Sequence, residues 1–263
     1  MKQDYLGKYL RKSERYTLWE RIAFLFEREQ SIIIPPDAET FADVSFWQAG
    51  MNWDAYPHRA AIIRIGQNVW KDSEFEYNYA ACRDRGIALG GYWFFDDRVS
   101  PEAQASILIS AMNGKYMDME IEVDYEHKYG GAYFGLKHVK RFVELIEAAG
   151  VRCKDVGTYT GYYFWRDNTI GDEAYYPFFV DRPLHLAWYA SPNVVKVPAP
   201  WATWTHWQYG TPAVNWGQPT AEIDANRHNG SKTDFEIRYL GGAVPPSGGA
   251  MLYEVKATSL WLS

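Results

Sequence analysis

The stretch Met117-Asp-Met-Glu-Ile-Glu-Val-Asp-Tyr-Glu-His127 alternates two kinds of side chain with a period of two. Acids stand at Asp118, Glu120, Glu122, Asp124 and Glu126; apolar or aromatic residues stand at Met117, Met119, Ile121, Val123 and Tyr125. A strand sends every second side chain to the same face, so an extended segment here lines one surface with carboxylates. So much charge argues against a core position for that surface. Two readings stay open: a solvated edge strand whose acids meet lysines, or a strand whose last carboxylates sit at its C-terminal end beside other acids. In the second, repulsion raises one pKa and leaves a neighbour ionised, which divides acid and base roles between two carboxyl groups.

Working outward from this strand, the chain alternates extended and helical patterns. On the N-terminal side lie strands at Thr40–Ser45, Ala61–Ile65 and Ile87–Phe95, whose paired Gly90 and Gly91 permit close backbone approach. A helix from Glu74 to Arg85 is stopped by Gly86, and another begins at Ser100-Pro101-Glu102, with Ser as N-cap and Pro in the first turn. On the C-terminal side, Tyr133 to Ala149 is an amphipathic helix ended by Gly150. Val156–Tyr159, Leu184–Tyr189, Trp204–Tyr209 and a segment near Ile223 complete eight strand candidates. Alternating strand and helix predicts a parallel sheet wound by helices, and eight strands predict an α/β barrel, irregular in its second half where little chain is left for helices. Chemistry in such barrels sits at the C-terminal ends of strands, and Asp43, Asp124, Glu126 and Asp224 all fall near strand ends.

Residues 1–40 read as a helical N-terminal extension broken at Pro35-Pro36, and 41–230 as the barrel. Residues 231–263 read as a Gly/Pro-rich linker with a strand-like tail. The net charge of -6 argues against nucleic acid as a partner, since phosphate binding leaves a basic footprint. Aromatic residues make up 17% of the chain, enough to serve either a core or a groove whose rings stack on sugars. Cys82 and Cys153 have neither metal-ligand nor disulfide spacing, and free, buried thiols are expected. No run reaches the roughly 18 apolar residues of a membrane span, so stable membrane insertion is not expected. Charges flank Ile22–Phe26 too closely for a signal peptide, so synthesis is expected in the cytoplasm.

Short motifs recur in order along the barrel: Asp43-Val-Ser-Phe-Trp-Gln48 with Trp53-Asp54, Ile62-Ile-Arg64, Gly91-Tyr-Trp-Phe94 and Val123-Asp-Tyr-Glu126. Tyr159-Thr160, Phe164-Trp165, Ala187-Trp-Tyr189, Trp207-Gln-Tyr209 and Ile223–Gly230 follow. Each piece is weak alone. In their order and spacing they resemble glycoside hydrolase family 25, the muramidases of phage endolysins and of secreted bacterial and fungal lysozymes.

The resemblance implies an irregular TIM-like barrel of eight strands with about five helices. It also implies hydrolysis of the β-1,4 bond between N-acetylmuramic acid and N-acetylglucosamine in peptidoglycan glycan strands, with no metal or cofactor. By position, Glu126 is the general acid, Asp124 its partner carboxylate toward the acetamido group or a water, and Asp43 and Asp224 line the same pocket. Tyr92, Trp93, Tyr159, Trp188, Trp207 and Gln208 are the substrate-binding candidates. Two departures stand out: Gln67 lies where many members carry Glu, and Trp93 where His is frequent. The tail from Tyr253 faintly resembles the start of bacterial SH3-like wall-binding modules, which implies a natural chain continuing past Ser263. Without a signal peptide, a phage or prophage endolysin acting at the bacterial wall is expected. Two alternatives remain: a barrel that binds wall glycan without cleaving it, and a chitinase-like, substrate-assisted glycosidase, because Glu122-x-Asp124-x-Glu126 is superficially similar to the end of the family 18 signature.

Overall fold

A computed structural model describes residues 29–31, 34–190 and 194–241. The expected N-terminal helix up to residue 28 and the tail beyond 241 lie outside the described residues. Within them, the strands in chain order are β1 (Glu29–Ser31), β2 (Thr40–Val44), β3 (Ala60–Gln67), β4 (Trp70–Lys71), β5 (Ala88–Phe94) and β6 (Ile121–Asp124). After these come β7 (Val156–Gly161), β8 (Leu184–Ala187), β9 (Val194–Lys196), β10 (His206–Gly210) and β11 (Asp224–His228). Eight of them, β2, β3, β5, β6, β7, β8, β10 and β11, close into a barrel, and β4 folds back on the end of β3. β1 pairs antiparallel with β9 outside it, so the stretch 1–40 read as a helical extension contains a strand at Glu29–Ser31.

The ladder is parallel from β2 round to β10. It is antiparallel on both sides of β11, which joins β10 to β2. Because β11 runs backwards, its first residue, Asp224, reaches the mouth formed by the C-terminal ends of the other strands. A position that reads as a strand end is therefore a strand start, delivered to the same place by reversed direction.

Helices α1 (Phe75–Asp84), α2 (Pro101–Ala111) and α3 (Leu136–Ala148) cover the first half of the barrel. Among the described residues the second half carries short helical pieces such as α4 (Tyr162–Asn168) and α5 (Tyr176–Phe179), the irregularity expected from the short spacings there. Ser100 Oγ accepts from the Ala103 amide and caps α2. Gly86 and Gly150 adopt positive φ (66° and 69°) just past α1 and α3, where a side chain is disfavoured. α3 starts at Leu136, later than the amphipathic pattern suggests, because Asp172 reaches in to accept from the Leu136 amide at 2.7 Å. The paired glycines do serve close approach: a Cβ on Gly91 meets Ile65 Cδ1 at 2.8 Å, and one on Gly90 meets Ile62 Cγ1 at 3.0 Å.

The acidic strand runs through the middle of this architecture, and its charged face is the barrel interior. Glu120, Glu122 and Asp124 are buried, whereas Ile121, Val123 and Tyr125 pack outward into the core shared with the helices. The objection that a core cannot hold such charge fails because Glu120 and Glu122 meet polar groups from other elements, while Asp124 lines a pocket at the mouth. At the floor, Glu120 accepts from Arg238 Nη2 at 2.7 Å and from Tyr239 Oη at 2.8 Å, with His206 Nε2 at 3.3 Å. Arg238 and Tyr239 belong to the helical residues Glu236–Leu240, which follow α6 (Lys232–Phe235). With Phe235 they plug the N-terminal end of the barrel against Phe41, Ala60, Ile62 and Ala88. Residues 231–240, read from composition as the start of a linker, are thus part of the barrel.

Candidate active site

At the opposite mouth lies a pocket of about 300 Å³. The inward positions of five strands deliver its polar wall: Asp43 from β2, Arg64 from β3, Tyr92 from β5, Glu122 and Asp124 from β6, and Tyr159 from β7. Glu126, two residues beyond the end of β6, completes the alternation, and Asp224, Gln208, His185 and Tyr189 close the far side. The four carboxyls expected to act together, Asp43, Asp124, Glu126 and Asp224, all line this one cavity.

Their environments differ. Asp43 Oδ2 accepts from Gln208 Nε2 at 2.8 Å and Asn226 Nδ2 at 2.9 Å; burial raises its pKa, while His185 and those two amides pull it back. Asp124 is buried, and its Oδ1 makes no hydrogen bond to the protein. Burial, then the charges of Glu126, Asp43 and Glu122, push it well above the carboxylate range, with Arg64 opposing. Glu126 stands at the rim; protein packed around its carboxyl and the charge of Asp43 raise it to about 7, against a hydrogen bond with Tyr159. Asp224 is raised to about 8 by burial first and then by Asp43 and Glu126. Four carboxyls that oppose one another's ionisation titrate as one set, and near neutral pH the set keeps protons that isolated acids have lost. It can therefore offer a proton from one member and negative charge from another.

The aromatic candidates divide by strand parity. Tyr92 and Tyr159 face the pocket, and Tyr159 Oη donates to Gln208 Oε1 at 2.8 Å. Trp93, Trp188 and Trp207 sit on the outward parity, away from the cavity. Trp93 is fully buried against Phe142 and donates from Nε1 to Gln104 Oε1 at 3.1 Å. Trp188 donates to the Val194 carbonyl and Trp207 to the Trp188 carbonyl, so both brace the outer layer. Gln67 turns from the cavity to Arg64 Nη1 at 3.0 Å, and the Arg64 guanidinium also meets Asp72 at 2.6 Å and lies 4.4 Å over the Phe46 ring.

Sequence reasoning did not single out Arg64, Glu122, His185 or Tyr189, which line the pocket, or Asn226, which holds Asp43 from behind. Counting by twos from the acids that were singled out finds Glu122 from Asp124 and Asn226 from Asp224. Trp47, within the motif Asp43–Gln48, is 70% exposed and stands at the rim of the pocket.

The sequence model for glycosyl hydrolases family 25 matches residues 42–216, from β2 through β10. The chain belongs to that family. Among family 25 relatives and solved structures, it is similar to Lysozyme M1 of Streptomyces globisporus, with 29% identity over 229 residues that cover 77% of this chain and 75% of that protein. The crystal structure of the bacterial lysozyme from Streptomyces coelicolor superposes with a TM-score of 0.64 at 25% identity, covering 80% of this chain and all of that one. The catalytic domain of the endolysin ply40 from the Listeria monocytogenes bacteriophage P40 shares the fold, with a TM-score of 0.62 at 18% identity over 80% of this chain and 100% of that one. Family 25 membership makes this chain a glycoside hydrolase built on an eight-stranded α/β barrel.

Proposed function

We infer that this family 25 barrel is a peptidoglycan muramidase, cleaving the β-1,4 bond between N-acetylmuramic acid and N-acetylglucosamine. The observation that carries the reading is the meeting of Asp43, Asp124, Glu126 and Asp224 in one cavity at the mouth of the barrel. Cleavage of a glycosidic bond passes through an oxocarbenium-like state, which needs a proton delivered to the leaving oxygen and negative charge near the ring. Glu126, raised to about 7 and standing at the open rim, is the group suited to protonate that oxygen. Asp124, deeper in the same cavity, is the carboxyl suited to the sugar's acetamido group or a water. Asp43 is held by two amides and supplies negative charge when ionised, and Asp224 adds a second carboxyl whose charge varies with pH. Tyr92, Tyr159, Tyr189 and the rim ring of Trp47 form the sugar-facing wall.

Glycan strands of the bacterial wall are the partner this reading requires. Among the described residues no helix is long and apolar enough to cross a membrane. The phage endolysin among the fold relatives supports a lysin that reaches the wall from a phage or prophage context. The test is digestion of purified peptidoglycan by wild type and Glu126→Gln, with new reducing ends identified by mass spectrometry. Muramic-acid ends released by wild type and absent with the variant are expected. A wild type that sediments with the wall yet releases nothing overturns the reading in favour of a glycan-binding barrel.

A further inference from the structure

Beneath the four carboxyls the barrel holds a second polar layer. Glu122 and His185, both almost fully buried, meet across the interior with His185 Nδ1 2.8 Å from Glu122 Oε2. The other ring nitrogen, Nε2, lies 2.8 Å from Asn226 Oδ1. The orientation of that amide is fixed from its far side: Asn226 Nδ2 lies 3.3 Å from the Phe41 carbonyl and 2.9 Å from Asp43 Oδ2. A backbone carbonyl only accepts, so the amide nitrogen turns to Phe41 and Asp43, its oxygen turns to His185, and His185 Nε2 carries a proton. The partners therefore form one directed chain, from the Glu122 carboxylate through imidazole and amide to a single oxygen of Asp43.

Resting on the reading of this pocket as the hydrolytic centre, we propose that Glu122, His185 and Asn226 are positioning residues for Asp43, fixing which of its oxygens is tied back and which faces the sugar. Gln208 acts on the same Oδ2 from the other side, with its own oxygen taken by the Tyr159 and Tyr189 hydroxyls. Asp43 thus meets substrate with Oδ1, at an angle set by two amides that cannot flip without losing their outer partners. A chain of this kind controls geometry and charge together. Burial disfavours the imidazolium, but Glu122 and Asp43 hold it, and its charge in turn favours the ionised form of Asp43. Asp224, Glu126, Asp124 and Glu122 all repel that ionised form, so His185 is the group opposing them; His206 and Tyr159 are the other titratable rings against it.

Packing alone does not account for the arrangement. Apolar side chains of similar volume fill an interior at no greater cost than a buried ion pair, so an ion pair directly under Asp43 needs another reason. The barrel contains its own control. His206 and Glu120 form a second buried imidazole–carboxylate couple, but that chain ends on Tyr239 and Arg238 at the floor and does not reach Asp43.

The experiment compares His185→Gln, Glu122→Gln and His206→Gln with wild type and Glu126→Gln, following reducing ends from purified peptidoglycan across pH. For His185→Gln and Glu122→Gln, kcat is expected to fall by about 10- to 100-fold with KM within about twofold, as for a misplaced reacting group. The acid limb of the kcat profile is expected to move up by about one pH unit, because Asp43 holds its proton longer without the cation. His206→Gln is expected to lower the melting temperature and leave kcat and the limb in place. Glu122→Gln conserves shape and decides the matter if His185→Gln does not fold. In parallel, ¹⁵N NMR of His185 is expected to show both ring nitrogens protonated in wild type near neutral pH and not in Glu122→Gln. Wild-type kcat and an unmoved limb in both variants, with Glu126→Gln inactive, overturn the positioning role alone. A wild type without turnover removes the hydrolytic reading and this role with it.

Discussion

Asp43 and Asp224 are directly paired positions of the antiparallel strands β2 and β11, the first and last staves of the barrel. Opposed residues of an antiparallel pair project to the same face about 4.5–5.5 Å apart at Cβ, and like charges placed there repel. The closure of the barrel therefore brings two carboxyls together at its seam, and Asp124 and Glu126 arrive from the opposite wall. Much of the behaviour expected of this protein follows from that crowding.

Stability is expected to depend on pH in the sense opposite to ordinary acid denaturation. Asp224 and Glu126 are raised to about 8 and about 7, and Asp43 and Asp124 are raised too, so the folded state holds protons that the unfolded chain releases near pH 4. Their contribution is complete below the unfolded value and is lost as pH rises through about 7 to 8. Scanning calorimetry should show the melting temperature falling between about pH 5.5 and about pH 8.5, with Asp224→Asn flattening the fall. A melting temperature that climbs over that interval contradicts the assignment.

Turnover should decline on the alkaline side as Glu126 loses its proton, with a midpoint near 7. Glu126→Gln is expected to reduce kcat by about 10²–10⁴-fold, or below detection, while the far-ultraviolet spectrum is retained. The charge of Asp43 is part of what holds the Glu126 proton, so Asp43→Asn should move the Glu126 midpoint downward. A ¹³C NMR titration of the carboxyl reads this independently of activity.

The outward tryptophans and the inward tyrosines should separate cleanly on mutation. Trp93→Ala removes a fully buried ring and one hydrogen bond, at a cost of about 3–5 kcal/mol of stability, with KM for soluble glycan fragments unchanged in the folded fraction. Tyr189 is 58% exposed and lines the pocket, so Tyr189→Ala should leave the melting temperature nearly in place and raise KM. Denaturant unfolding and kinetics on defined glycan fragments give the two readouts.

The floor of the barrel offers a stability test separate from catalysis. Burial works against the charge on Glu120, yet His206 and Arg238 hold its pKa down to about 2, and the Tyr239 hydroxyl sits 2.8 Å from its Oε2. Tyr239→Phe should cost about 1–3 kcal/mol in urea unfolding, because a buried carboxylate loses a donor, and should not change kcat. Equal loss of kcat and stability would show that the floor and the mouth are coupled.

Much of this protein was legible before folding was considered. The period of two in Met117–His127, the N-cap at Ser100 and the glycine stops at Gly86 and Gly150 are local signals, because backbone geometry fixes them within a few residues. The order of short motifs from Asp43 to Asp224 pointed to the family and to four carboxyls that share one cavity.

The tertiary structure decided what local periodicity leaves open. Alternation says that Glu122 and Asp124 share a face, but only the closed barrel makes that face an interior and supplies His185 and Asn226 to meet it. Likewise it turned Trp93, Trp188 and Trp207 outward, set β11 antiparallel so that Asp224 begins its strand at the mouth, and drew residues 232–240 in as the floor. The physical reason is the same in each case. A side chain's direction follows from its own backbone, whereas its surroundings follow from strands and helices brought in from elsewhere in the chain.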